Sequence, residues 1–128
     1  MENLRNKLNI LFSKALLEMY REKVVNDNLY NIEEEDVEDF CKEHASATAE
    51  SLTRDCTSLI NSKDWNNPKN NLYTFGFAMK AEHNITSNEQ LLSRDDAAEI
   101  VFAWFWKCFG SYNLIYNFTD DLNDYCNA

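Results

Sequence analysis

Two glycines and one proline in 128 residues leave this chain almost without the punctuation that antiparallel β architecture requires. Strand-rich domains need turn residues at intervals of about 8–12 positions, and their scarcity excludes a sandwich or a barrel. The consistent class is all-α. The same scarcity removes phosphate-cradling loops, because neither a GxGxxG nor a P-loop pattern occurs. Long apolar runs are missing as well. The tract Ile100–Trp106 is seven residues between Glu99 and Lys107, whereas a membrane-spanning helix needs about 20. Met1–Leu8 already carries charges at helical spacing, unlike a secretory leader, so a cytoplasmic location is expected (the host-cell cytoplasm for a viral protein). Four cysteines, Cys41, Cys56, Cys108 and Cys126, show no CxxC and no regular framework, which predicts reduced packing thiols.

Positive charge is the other shortage. Twelve Lys and Arg face 22 Asp and Glu, for a net charge of −10. Lys107 is the one basic residue after Arg94, so the chain has no phosphate footprint with which to bind nucleic acid directly.

What is present centres on residues 95–118. Asp96, Glu99, Lys107, Gly110, Asn113 and Asn117 follow at steps of mostly three or four, with the small Ala103 filling the gap. On a helix that pattern is one narrow polar stripe, so the rest of the circumference is buried. Twenty-four residues at 1.5 Å each run to roughly 36 Å, about the length of a small domain. The expected architecture is a single domain, 1–128, of about four to five helices around this long C-terminal one.

Residues 3–24 predict a first helix through Leu4, Leu8, Leu11, Phe12, Ala15, Met19 and Tyr20, ended by Asn26-Asp27-Asn28. Asn31 and Glu34 form a capping pair for a second helix reaching about Ile60. Its inward face is Val37, Phe40, Cys41, His44, Thr48, Leu52, Cys56 and Leu59. Between residues 44 and 51 the side chains are small, which means either a break or a closely packed neighbour. Residues 61–71 hold Pro68 and read as a loop that presents Trp65. For residues 72–83, helix and strand both stay open, since Tyr73, Phe75 and Phe77 alternate as a strand would. Thr86 with Glu89 and Ser93 with Asp96 predict two further helix starts. Thr119 with Asp120 and Asp121 begins a last short helix ended by Tyr125 and Cys126.

Few residues suggest chemistry. Cys41 and His44 sit one helical turn apart, but two ligands do not complete a tetrahedral site. They read as a packed thiol and a core histidine. Neither His44 nor His83 has a motif that would supply a nucleophile and an orienting carboxylate. No catalytic residue, metal or cofactor is expected, and the chain is not read as an enzyme. Trp65 and Trp106 are the candidate aromatic contacts.

The acidic residues are unevenly placed. Residues 31–60 carry nine acidic and two basic groups, a net −7, while residues 1–30 and 61–94 are each +1. Glu33, Glu34, Glu35, Asp36, Glu38, Asp39 and Glu43 place seven carboxylates within eleven positions. A second acidic group, Asp120, Asp121 and Asp124, lies near the C-terminus. Carboxylates at a helix start complement its dipole and aid solubility. Packed this densely, they also approach the charge spacing of DNA and suit a basic groove on another protein.

The stretch Glu35-Asp36-Val37-Glu38-Asp39, followed by Ala45 and Asp55, resembles the acidic helical core of the phage overcome-classical-restriction (Ocr) proteins. That resemblance implies a small all-helical DNA mimic that blocks a restriction enzyme or another host-defence enzyme. The chain differs from the family in being less acidic, in its aromatic late helix and in lacking an extended acidic tail. The functional expectation is an acidic protein-binding inhibitor whose partner has a basic, nucleic-acid-binding surface. The alternative is a non-catalytic helical interaction or assembly module using aromatic contacts. No membrane partner is expected, and self-association stays open.

Overall fold

Every fourth residue of the first helix from Leu4 to Val24 is apolar, and all six (Leu4, Leu8, Phe12, Leu16, Tyr20, Val24) are buried in a computed structural model of the protein. The structure describes residues 2–27, 32–61 and 73–109. Helix α1 spans Glu2–Asp27. Four residues overshoot one helical turn by about 40°, so over five steps the apolar line winds roughly 200° around α1. One stripe therefore serves two neighbours. Near its C-terminal end, Tyr20 meets the second helix, with its hydroxyl 3.0 Å from Thr48 Oγ1. Further back, Phe12 sets its ring edge-to-face against Phe102 and Phe105, at centroid distances of 5.3 and 6.0 Å.

A 3-10 turn at Glu34–Asp36 leads into α2, Val37–Asn61. The helix is unbroken through residues 44–51, which settles the alternatives in favour of a close neighbour. Ala45 and Ala49, one turn apart, are both buried. Side chains this small let α1 approach in an antiparallel sense, with Tyr20 at Thr48 and Arg21 at Glu38.

Residues 73–83 are helix α3. Phe75 and Met79, four apart, are buried, while Phe77 points the other way and is 63% exposed. The alternation of Phe75 and Phe77 thus marks the two sides of a helix. Asn84, with φ 57°, ends α3 in the left-handed region that asparagine tolerates. From there the Ile85 N–H reaches the Met79 carbonyl at 3.1 Å, and the Ile85 side chain enters the core.

Both capping pairs expected after residue 84 are corrected. Helix α4, Asn88–Leu92, is capped by Ser87, whose hydroxyl accepts the Gln90 N–H at 3.2 Å. Gln90 Oε1 reaches back to the Thr86 N–H at 2.7 Å. The frame is one residue later than Thr86–Glu89: Ser87 takes the Gln90 N–H, and the Gln90 side chain returns not to the cap but to Thr86, the residue before it. Ser93 closes α4 instead of opening the next helix, donating its hydroxyl to the Gln90 carbonyl at 2.8 Å. Asp96 is held by Arg94, Nε to Oδ1 at 2.9 Å and Nη2 to Oδ2 at 3.1 Å.

Helix α5 covers Ala97–Phe109. Its polar stripe is as expected: Glu99, Ala103 and Lys107 are exposed, while Ala97, Ala98, Ile100, Val101 and Phe105 are buried. These residues join those of α1, α2, α3 and α4 in one cluster. The architecture is all-α, an antiparallel α1–α2 pair with α5 packed on α1, and the described residues contain no strand. The expected continuation of the long helix to residue 118, the cap Asn31, the loop around Pro68 and the helix expected after Thr119 lie outside the described residues.

Candidate functional site

The acidic run is placed by the start of α2. Glu33 precedes the 3-10 turn, Glu34, Glu35 and Asp36 form it, and Glu38, Asp39 and Glu43 lie on the first two turns of α2. On a helical wheel, positions 38, 39, 42 and 43 fall within an arc of about 140°, with the buried His44 opposite it and the buried Cys41 and Ala45 on the flank beside Glu38. All seven carboxylates are exposed. The turn closes through its backbone alone, with the Asp36 N–H on the Glu33 carbonyl at 2.9 Å and no side-chain cap. The Glu33 carboxylate is thus not consumed in capping the turn.

One of the seven is partly neutralised across helices. Arg21 of α1 grips Glu38 with both Nε, at 3.0 Å, and Nη2. Lys42 Nζ stands 3.9 Å from the same carboxylate. Hydrogen bonding to the Arg21 guanidinium holds the Glu38 carboxyl below its ordinary range. Glu33, Glu34, Glu35, Asp36, Asp39 and Glu43 make no ion pair among the described residues. Lys42 is an i,i+4 neighbour on the same helix, whereas Arg21, 17 residues before Glu38, is brought in only by the α1–α2 packing.

The other candidates are structural in their surroundings. Cys41 is fully buried, and burial pushes its thiol up. His44 is 8% exposed, with its ring 4.0 Å from that of Phe40 and 6.4 Å from that of Tyr20. Burial pushes its imidazole down, towards the neutral form. Among the described residues, no group of three His, Cys, Asp or Glu could hold a metal ion. Cys56 is a second buried cysteine.

Trp106 is half-buried and stacks on Phe102 at 5.7 Å with 18° between the planes. Trp104 is half-buried too, its ring edge-to-face with Phe75 at 5.1 Å. Among the described residues the most exposed large apolar side chains are Ile10, 67% exposed, and Phe77. Phe77 lies two residues from the buried Phe75, and only the packing shows which of the two faces outward.

Trp65, Asp120, Asp121 and Asp124 lie outside the described residues, so the second acidic group is not placed against the first. No described helix is long and apolar enough to cross a membrane. Comparison with protein-family models, with curated proteins and with solved structures finds no match to this chain.

Proposed function

We propose that this chain is a non-catalytic inhibitor that binds a basic, nucleic-acid-binding protein through the acidic start of α2. The observation that carries this reading is the presentation of the carboxylates. All seven are exposed along the 3-10 turn and the first two turns of α2, and among the described residues only Glu38 is engaged by an arginine. Three residues of 3-10 turn and seven of α-helix span roughly 15–18 Å including Glu33. Seven carboxylates less Arg21 and Lys42 leave five charges, about one per 3–3.6 Å. A single DNA strand carries one phosphate per about 3.4 Å, and the duplex one per about 1.7 Å. The surface therefore imitates one backbone strand, and its backbone is held in a helix before any partner arrives. In its finer form the proposal is a phage-type DNA mimic that blocks a host restriction or other defence enzyme, as the resemblance to the Ocr family implies.

The test spares Glu38, whose replacement would also disturb the α1–α2 contact. Glu34, Glu35, Asp39 and Glu43 are reversed together to lysine. Tagged parent and variant are used to capture proteins from a bacterial lysate at low and high salt, and captured DNA-binding proteins are then challenged with duplex DNA. The parent should lose its partner steeply with salt and compete with DNA for one site. The variant should associate at least tenfold more slowly at low salt. A variant that binds and inhibits as well as the parent would reduce the acidic face to solvation. Exposed Phe77 and Ile10 would then support the apolar-contact reading.

A further inference from the structure

We propose that the groove between the N-terminal part of α1 and the middle of α2 is a separate binding site for a small phosphorylated ligand bearing hydroxyl groups. The groove encloses about 700 Å³ and is walled by Arg5, Asn6 and Asn9 from α1 and by Ser46, Glu50 and Arg54 from α2. Thr53, 3% exposed, lies at its base with its hydroxyl donated to the Ala49 carbonyl at 2.7 Å. The antiparallel pairing of the helices brings these positions together. Residues 5–9 run alongside 46–54 because Tyr20 and Arg21, further along α1, meet Thr48 and Glu38.

The arginines identify the ligand. This chain has four, and carboxylates outnumber cations 22 to 12. Arg21 and Arg94 each form a two-pronged pair, on Glu38 and Asp96. Arg5 and Arg54 make no ion pair among the described residues, and both line this one groove. A guanidinium fork matches the oxygens of a phosphate. Asn6, Asn9 and Ser46 add side-chain donors that make no hydrogen bond among the described residues. Glu50 is an acceptor that would repel a bare anion but would receive a ligand hydroxyl. It stands one turn before Arg54 without pairing to it, and an exposed i,i+4 pair is in any case a weak, salt-sensitive competitor. Among the described residues the wall offers no large apolar side chain against which an apolar ligand could be buried.

Inorganic pyrophosphate, ribose 5-phosphate and ribose are titrated into isotope-labelled full-length protein and followed by amide correlation spectra. The two phosphorylated probes should shift the Asn6 and Asn9 side-chain amides and the Ser46 amide saturably, and ribose should not. The pair of substitutions Arg5→Gln and Arg54→Gln should weaken both phosphorylated probes at least tenfold while leaving the thermal midpoint near that of the parent. Arg54→Lys, which keeps the charge and loses the fork, should weaken them less. Glu50→Gln should tighten pyrophosphate and weaken ribose 5-phosphate relative to it, because the hydroxyl acceptor is lost. Lys80→Gln, on α3, should change neither. Three results overturn the site: no saturable shift at millimolar probe, equal binding by the doubly substituted protein, or an equal loss on Lys80→Gln, which would mark diffuse electrostatics.

Discussion

Replacing Phe12 by alanine measures the joint on which α1 and α5 depend. Phe12 is fully buried and lies edge-to-face with Phe102 and Phe105 at 5.3 and 6.0 Å. Truncating a core phenylalanine costs about 3–5 kcal/mol through lost transfer free energy and the cavity left behind. Each aromatic pair contributes about 0.5–1.5 kcal/mol beyond its area. With two such pairs lost, the upper half of the range applies, and about 4 kcal/mol is expected. For a chain of this length that lowers Tm by roughly 12–20 °C, a large fraction of a stability of about 5–15 kcal/mol. Phe12→Leu retains most of the volume and loses the ring edges, so it should cost about 1–2 kcal/mol. Urea unfolding followed by far-ultraviolet circular dichroism and by tryptophan fluorescence reads both. The midpoints should fall in the order parent, Leu, Ala, with the denaturant slope unchanged. An alanine cost below about 1 kcal/mol, or one no larger than that of leucine, would refute the reasoning.

Two further outcomes follow from the α1–α2 contact. His44 is held neutral by burial, so its folded-state pKa lies below the ordinary 6.5. The unfolded chain therefore binds more protons, and stability is complete above about pH 6.5 and lost as pH falls from there. The depressed carboxyls of Glu38 and Asp96 begin from 4.5 and 3.8, so their losses start lower. A urea midpoint that falls between pH 7 and 5 in the parent, and stays flat in His44→Phe, is the expected result. Ala49→Leu should cost about 1–3 kcal/mol by forcing α1 away, whereas Ala47→Leu, at an exposed position on the same helix, should stay within about 0.5 kcal/mol. Equal costs for the two would mean that α1 does not pack closely on residue 49.

Much of the fold could be read in order along the chain, and the reason is local. Few glycines and prolines leave helix as the default backbone. A stripe such as Glu99, Ala103 and Lys107 declares its outward side by spacing alone. The acidic run was equally legible, because seven charges at the start of an amphipathic helix cannot be buried and must face water. Capping frames were legible only approximately. Thr86–Glu89 and Ser87–Gln90 satisfy the same short pattern, and the backbone selected the second.

Other features depend on contacts between distant segments, which periodicity does not encode. The small residues at 45 and 49 permit a break or a neighbour, and the arrival of α1 decided between them. Phe75 and Phe77 fit a strand by alternation, until burial of Phe75 with Met79 showed a helix with two sides. Arg21 could have paired within its own helix, yet the antiparallel packing handed it to Glu38. The same packing left Arg5 and Arg54 facing one groove without a carboxylate partner among the described residues. Local chemistry determines which residues must meet water, but which charges meet each other is settled only when the helices dock.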